Sequence, residues 1–164
     1  MNFPDAVEQV YRLSTGVIGS NMDRHERPHK PVLLLAIFDA IAAGEARPDR
    51  VPWSNRLRER FAEYFVLVQS RNDECTPENP SLYLRTDGFW QPFVITAQGE
   101  APLEATPLVR DAEAGRVYGR FVQEWQFLLS DPLARLGLRD AIVSRYFPLS
   151  QDQLRPMFLD GTAP

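Results

Sequence analysis

Apolar residues form one nearly unbroken run from Val32 to Ile41, in which Asp39 is the single charged residue. A helix that is apolar almost all round packs inside a domain and not on its surface. Pro31 suits the first turn of such a helix because proline presets a helical φ and has no N–H to lose, and Gly44 is suited to end the helix. The run therefore predicts a buried central helix that starts near Pro31.

A second helical pattern occupies residues 55–68. Leu57, Phe61 and Phe65 recur at steps that place them on one face, and Ser54 is suited to cap the first turn. The arginines at positions 56, 58 and 60 fall mostly on other faces and are predicted to be solvated. A shorter helix with similar apolar spacing is predicted at residues 4–13.

The C-terminal third is also predicted to be helical. Apolar spacing at 121–129 marks one helix, and Asp131 with Pro132 provides the cap and first turn of the next. The spacing of a capping box at 150–153 predicts a last short helix through Phe158.

A turn signal separates two runs of β-forming residues in the middle of the chain. Asp87-Gly88 lies between residues 82–86 and 89–95, a pattern that favours a β-hairpin, and Pro92 predicts an edge position for the second strand. The polar stretch at residues 69–80 is predicted to be one long loop, and residues 96–116 are predicted to be loops with one or two short strands. The predicted fold class is α+β, with helices packed around a small antiparallel sheet.

Composition is typical of one soluble domain covering residues 1–164. A single cysteine, Cys75, provides neither an intramolecular disulfide nor a metal set, so no metal or cofactor is expected. The first residues lack the pattern of a signal peptide, and no stretch reaches the roughly 18 apolar residues of a membrane span. These features predict a cytoplasmic protein without a membrane partner.

Positive charge is concentrated in one part of a chain whose net charge is −4. Residues 24–72 contain nine Arg and Lys against six Asp and Glu, whereas the segments on either side are both acidic. Charge asymmetry matters more for a local binding face than the total charge does. A DNA-binding face is therefore compatible with the sequence, with modest non-specific affinity.

The densest basic cluster immediately precedes the predicted central helix. It contains Arg24, His25, Arg27, His29 and Lys30, the last being the only lysine of the chain. Free N–H groups at a helix start, next to clustered positive charge, suit an anion such as phosphate. The other interpretation is a solvated entry loop. Because Lys30 precedes the buried run, its substitution is expected to leave folding intact.

Catalytic motifs do not stand out. The sequence contains no P-loop, GxSxG, HExxH or GxGxxG pattern, and its two histidines lie only four residues apart. Cys75 is distant in sequence from both histidines, which weakens the case for a Cys/His nucleophile. The residues alone therefore favour a binding module over an enzyme, and no catalytic residue is assigned.

Taken in order, several motifs resemble the sulfur-binding domain of McrA-type HNH restriction endonucleases. The resemblance spans nearly the whole chain and depends on the ordered combination of stretches that are individually weak. They are Arg27-Pro28-His29-Lys30-Pro31 with the following leucines, Asn79-Pro80, Asp87-Gly88-Phe89-Trp90, Val109-Arg110, Gly119-Arg120-Phe121 and Tyr146-Phe147-Pro148-Leu149-Ser150.

The resemblance implies recognition of double-stranded phosphorothioate DNA, in which sulfur replaces one non-bridging phosphate oxygen. It also implies a type IV restriction role in bacterial defence, with this chain as the N-terminal targeting module of a longer protein that carries a C-terminal HNH nuclease domain. His29 and Lys30 match the family's basic pair, Pro80 matches the proline of its sulfur pocket, and Arg110 matches an arginine at the pocket edge. Arg27 adds to the basic face.

One departure from the family concerns the residue before Pro80. The family carries an aromatic residue there, where this chain has Asn79, so Tyr83 is expected to rebuild that wall of the pocket. Asn79, Ser81 and Arg85 are then candidates to read base edges in a groove. Without the resemblance, the favoured interpretation of Pro80 is a loop proline before a strand.

A second function class stays open on the sequence. The chain can also be a protein-interaction or small-ligand-binding domain whose basic loop contacts solvent or a carboxylate partner. Salt separates the two classes, because counterion release makes DNA binding weaken steeply with added salt, whereas an apolar protein interface does not.

Overall fold

The computed structural model describes residues 1–19, 22, 24–70, 73–76, 78–105 and 109–155, without the side chains of residues 78, 79 and 109. Its α-helices and β-strands follow each other along the chain in the order α1 (Phe3–Tyr11), β1 (Val17–Ile18), β2 (His25–Glu26), α2 (His29–Ala42), β3 (Val51–Pro52), α3 (Asn55–Val68), α4 (Glu78–Tyr83), β4 (Trp90–Thr96), β5 (Gly99–Pro102), α5 (Val109–Glu113), β6 (Val117–Phe121), α6 (Gln123–Leu129) and α7 (Pro132–Tyr146). None of the helices in these described parts is long and apolar enough to cross a membrane.

Helix α2 is the buried centre of the domain, as the apolar run predicts. Every residue from His29 to Ala40 is buried, and α3, α4 and α7 pack against the helix. Pro31 lies in the first turn. At the other end Gly44 adopts φ +76°, a conformation that favours glycine, and its N–H donates to the carbonyl of Ile41. The start and the end of this helix were both readable from the sequence.

The larger sheet is antiparallel, with strand order β3-β6-β4-β5, and β1 pairs with β2 in a separate two-stranded ribbon. This arrangement confirms the α+β class. At the β4–β6 contact the Trp90 ring lies directly over Gly119, where a Cβ would be only 1.9 Å from the ring. The sequence does not predict strand β6, because the apolar spacing from Phe121 onward indicates the following helix.

The hairpin predicted around Asp87-Gly88 is wrong. Residues up to Tyr83 belong to α4, and Leu84–Asp87 form a 3-10 turn that ends at Gly88, where φ is +89°. A left-handed glycine ends a helical turn as readily as it makes a hairpin turn, so the same residue pair fits both structures. The observed hairpin joins β4 to β5 further along the chain.

Pro92 lies in β4, a central strand, and the predicted edge position is also wrong. Its carbonyl accepts a hydrogen bond from the N–H of Leu103, the residue just after β5 ends. In an antiparallel strand the N and the carbonyl of one residue point to the same neighbour. The missing donor of Pro92 therefore faces the end of β5, where no strand residue requires it.

The sequence predicts the helix caps more accurately than it predicts the exposure of individual side chains. Ser54 accepts from the N–H of Leu57, and Asp131 accepts from the N–H of Leu133, as predicted. Arg60 was predicted to be solvated but is 2% exposed, because its guanidinium donates twice to Glu45. Residues 148–154 form short turns, and the predicted helix end at Phe158 lies outside the described residues.

Candidate functional site

An open cleft of about 450 Å³ lies at the start of α2. Three chain segments meet there: the ribbon β1–β2 with the residues beside it, the first turn of α2, and α4 with the turn that follows. Five of the predicted site residues are among the described residues that line the cleft. These described lining residues are Ser14, Thr15, Gly16, Arg27, His29, Lys30, Thr76, Pro80, Tyr83 and Thr86.

Arg27 borders the cleft from the ribbon side and is exposed. Its N–H donates to the carbonyl of Gly16 at 3.0 Å, which fixes the chain just before α2. Gly16 has φ +70°, and a Cβ there would lie 3.4 Å from the Arg27 side chain. The backbone just before β1 thus lies against the arginine stem, and among the described residues the guanidinium has no ion-pair partner.

His29 forms part of the cleft floor and is 8% exposed. Its Nε2 lies 2.7 Å from the carbonyl oxygen of Glu74, so Nε2 carries the proton and donates it to that oxygen. The edge of the ring meets Phe65, with 4.9 Å between the centroids. Within the described part of the chain Nδ1 has no hydrogen-bond partner. His29 therefore holds the segment that leads into α4 and presents little of itself to a ligand.

Lys30 is also buried, contrary to a simple solvated-loop interpretation. Its Nζ lies 2.7 Å from Oδ2 of Asp87, and the two side chains are 8% and 7% exposed. A weaker contact, at 3.4 Å, runs from the same ammonium to the hydroxyl of Thr86. The predicted basic residue is thus part of an ion pair between α2 and the turn after α4.

Pro80 and Tyr83 form the apolar wall of the cleft, and both belong to α4. Pro80 is buried, whereas Tyr83 is 56% exposed. Proline is tolerated in the first turn of a helix because that turn has no intrahelical partner for its N–H groups. The loop proline expected from the sequence is therefore a helical residue, and its ring is fixed by the helix.

The position of α4 depends on Trp90 in the sheet. Its Nε1 donates to the carbonyl oxygen of Ser81 at 2.9 Å, a buried hydrogen bond between the sheet and the helix. Ser81 itself is 4% exposed. A side chain buried to this extent offers little surface to a base edge, which argues against the role predicted for Ser81.

Two other predicted residues, Arg85 and Arg110, are not among the described residues that line the cleft. Arg85 is exposed in the turn after α4, and its guanidinium lies 3.4 Å from the carbonyl of Leu103. Arg110 is exposed on α5. The backbone of Asn79 belongs to α4, but its side chain lies outside the described residues.

The sequence reasoning missed the hydroxyl groups that line the cleft. Thr15 donates to Glu26 at 2.7 Å, and Arg145 contacts the same carboxylate at 3.0 Å. Burial acts to raise the pKa of Glu26, but these hydrogen bonds outweigh it and lower the pKa. An isolated threonine in a loop gives no local signal that its hydroxyl lines a cleft, so only the tertiary structure identifies Thr15 as a lining residue.

The sequence profile of the family described as "ScoMcrA-like, DNA sulfur-binding domain" matches residues 7–158. The chain belongs to this family of DNA sulfur-binding domains. The resemblance inferred from the ordered motifs is thereby confirmed. A search of curated proteins returns no match.

Solved structures of this sulfur-binding family share the fold. The sulfur binding domain of ScoMcrA complexed with phosphorothioated DNA aligns with a TM-score of 0.61 and 21% identity, covering 87% of each chain. The corresponding domain of SprMcrA, also complexed with phosphorothioated DNA, aligns with a TM-score of 0.60 and 21% identity over 93% of each chain. The type IV phosphorothioation-dependent restriction endonuclease ScoMcrA aligns with a TM-score of 0.57 and 19% identity, covering 92% of this chain and 27% of the endonuclease.

Proposed function

We propose that this chain binds double-stranded phosphorothioate DNA and that the cleft at the start of α2 receives the modified phosphate. The observation that supports the proposal most directly is the composition of the cleft. This chain belongs to the DNA sulfur-binding family, and its cleft combines an apolar wall of Pro80 and Tyr83 with Arg27 and the first turn of α2.

An apolar wall can discriminate sulfur from oxygen. Sulfur is larger, more polarisable and a poorer hydrogen-bond acceptor than oxygen, so it gains dispersion contacts against a proline or aromatic ring. An ordinary phosphate oxygen at the same wall loses its water without gaining a donor, which costs free energy. In this proposal the rings of Pro80 and Tyr83 favour sulfur in this way, and Tyr83 takes the role expected of it because Asn79 replaces the family's aromatic residue.

The positively charged groups hold the rest of the backbone. Arg27 borders the cleft and contacts the remaining anionic oxygen, while Arg85 and Arg110, both exposed, contact neighbouring phosphates or a groove. Asn79 is the remaining candidate for a base edge. Contacts to phosphates fix the register of the DNA, whereas contacts to base edges supply sequence preference.

The proposed biological role is that of a targeting module. The chain aligns with about a quarter of full-length ScoMcrA, a phosphorothioation-dependent restriction endonuclease. In this proposal residues 1–164 form one binding domain at the N-terminal side of an HNH nuclease, and the chain acts on DNA in the cytoplasm without cleaving it.

The first test compares one duplex with and without a phosphorothioate in a mobility-shift titration at a single salt concentration. We expect clearly tighter binding of the modified duplex and no cleavage of either. Repeating the titration at increasing salt should weaken both complexes through counterion release. Equal affinities for the two duplexes would refute the sulfur assignment, and salt-independent binding would favour the protein-interaction alternative.

The wall itself is tested with Pro80→Asp, with Pro148→Asp as the matched control. Pro148 is exposed, begins a short turn and does not line the cleft. An acidic group at position 80 should damage binding of the modified duplex far more than binding of the plain duplex, because it replaces an apolar contact that sulfur alone uses. The control should leave the ratio of the two affinities unchanged. Thermal melting of both variants establishes that each is folded.

A further inference from the structure

The ion pair between Lys30 and Asp87 is unusual in its position. Both side chains are buried, yet Lys30 lines the DNA cleft. Asp87 lies behind it and lines a neighbouring depression together with Asp5, Glu8 and Arg12. The second carboxylate oxygen of Asp87 accepts from the N–H of Ser14 at 2.9 Å, so the carboxylate is held in place from two sides.

Pairing changes what the only lysine of the chain offers to a ligand. An ammonium beside a carboxylate at 2.7 Å contributes almost no net charge to its surroundings, although it keeps N–H groups that can donate. A free ammonium would attract any phosphate. It would also hydrogen-bond an oxygen more strongly than a sulfur, because sulfur is the weaker acceptor. A free Lys30 would therefore favour unmodified DNA at the very site that has to reject it.

We infer that Asp87 determines the selectivity of the cleft by neutralising Lys30, a role that rests on the proposed function. Asp87 lies behind Lys30 and acts through it, so it is a positioning residue. With the charge of Lys30 cancelled, the affinity of the cleft depends more on the apolar wall of Pro80 and Tyr83, which distinguishes sulfur, and less on attraction to any phosphate.

The test is Asp87→Asn, which keeps an oxygen for the N–H of Ser14 and removes only the charge. The affinity for the unmodified duplex should rise roughly tenfold, by the size of one added charge-assisted hydrogen bond. The affinity for the modified duplex should rise less, so the ratio of the two falls. The slope of log affinity against log salt should steepen by about one, because one more cation now neutralises a phosphate.

A purely structural role for Asp87 predicts a different result. Loosening the cleft would weaken binding of both duplexes and leave the salt slope unchanged, and that outcome would overturn the inference. Equal affinity of the unchanged protein for the two duplexes would instead refute the proposed function, while the salt slope of Asp87→Asn would still report whether the carboxylate neutralises Lys30.

The double variant Lys30→Met with Asp87→Asn decides the matter if Asp87→Asn does not fold, since it leaves no buried charge unpaired. A neutralised pair has no net charge to lose, so the salt slope of the double variant should equal that of the unchanged protein. A slope shallower by about one would show that Lys30 already acts on phosphate as a free charge and would overturn the inference.

Discussion

Two buried ion pairs lie on the central helix, and their surroundings differ. Asp39, in the middle of α2, accepts from Nε and Nη2 of Arg139 at 2.8 and 3.0 Å and also from the hydroxyl of Tyr64. Arg139 donates in addition to the carbonyl of Leu154. Arg139 and Leu154 also line a pocket of about 260 Å³, but all three guanidinium nitrogens of Arg139 donate to protein acceptors, so the cluster joins α2, α3, α7 and the turn after α7.

The pair at the start of α2 is also an ion pair between buried side chains, but one of its members lines an open cleft. Lys30 and Asp87 are nearly as buried as Asp39 and Arg139, but Lys30 borders an open cleft and has donor capacity beyond its carboxylate partner. A closed cluster specifies which helices pack together. A pair beside an open cleft can instead offer hydrogen-bond donors to a ligand without offering a free charge.

The closed cluster also shows how burial fixes protonation. Burial raises the pKa of the Tyr64 hydroxyl, and the neighbouring carboxylate of Asp39 raises it further, while Arg139 acts in the opposite direction. Tyr64 therefore keeps its proton at neutral pH and donates it to Asp39. Protonation of Tyr64 is therefore not expected to alter DNA binding at the cleft.

The largest effect should come from opening the closed cluster with Arg139→Ala. Removing one partner leaves the carboxylate of Asp39 buried without its counter-charge, which costs about 3 to 5 kcal/mol of unfolding free energy. Urea denaturation measures the loss. Arg155→Ala is the matched control, because the side chain of Arg155 is 74% exposed and its pair with Asp152 should contribute less than about 1 kcal/mol. Equal losses in the two variants would contradict the distinction.

A somewhat smaller loss is expected from Lys30→Glu, since water in the cleft can reach the altered pair. The sequence suggested that folding would tolerate this change, but the structure places the new carboxylate against Asp87, so we expect destabilisation of about 2 to 4 kcal/mol. Thermal melting checks it. An unchanged melting temperature would show that the pair is not formed in solution.

The smallest effect concerns a third pair, just beyond the end of α2. The hydrogen bond from Arg60 lowers the pKa of Glu45, so this carboxylate binds a proton less readily in the folded chain than in the unfolded one. The pair contributes its stability above the unfolded pKa of about 4.5 and loses it as the pH falls through the lower folded pKa. For Glu45→Gln, the free energy of unfolding, measured by urea denaturation between about pH 3 and 6, should fall less steeply with acid than it does for the unchanged protein. The difference should be less than about 1 kcal/mol, because Glu45 is partly exposed.

Local signals predicted the elements whose causes are themselves local. The position of α2 follows from its apolar run, and the caps by Ser54 and Asp131 follow from side chains two or three residues from the N–H groups that they satisfy. Asp87-Gly88 failed as a hairpin signal because the conformation that it favours ends a 3-10 turn equally well. Helix α4, which directly precedes this turn, favours the helical conformation. The sequence does not predict α4, because Pro80 within a polar stretch indicates a loop.

The candidate site was predictable only in part, because several of its properties depend on distant partners. The ordered motifs brought Arg27, Pro80 and Tyr83 together, and the cleft contains all three. The burial of Lys30 depends on Asp87, and that of Ser81 accompanies the hydrogen bond from Trp90 to its carbonyl. Neither partner is marked by spacing or composition, so the sequence could not distinguish a paired lysine from a free one.

The close approach of Trp90 to Gly119 has a consequence for how the protein tolerates mutation. Any side chain at position 119 would meet the indole ring, and the ring also carries the hydrogen bond that holds α4. A saturation mutagenesis screen scored by DNA binding should therefore deplete variants at this glycine as strongly as variants at contact residues, although Gly119 does not line the cleft. A map of mutational intolerance would extend beyond the DNA footprint along the line from Pro80 through Trp90 to the sheet.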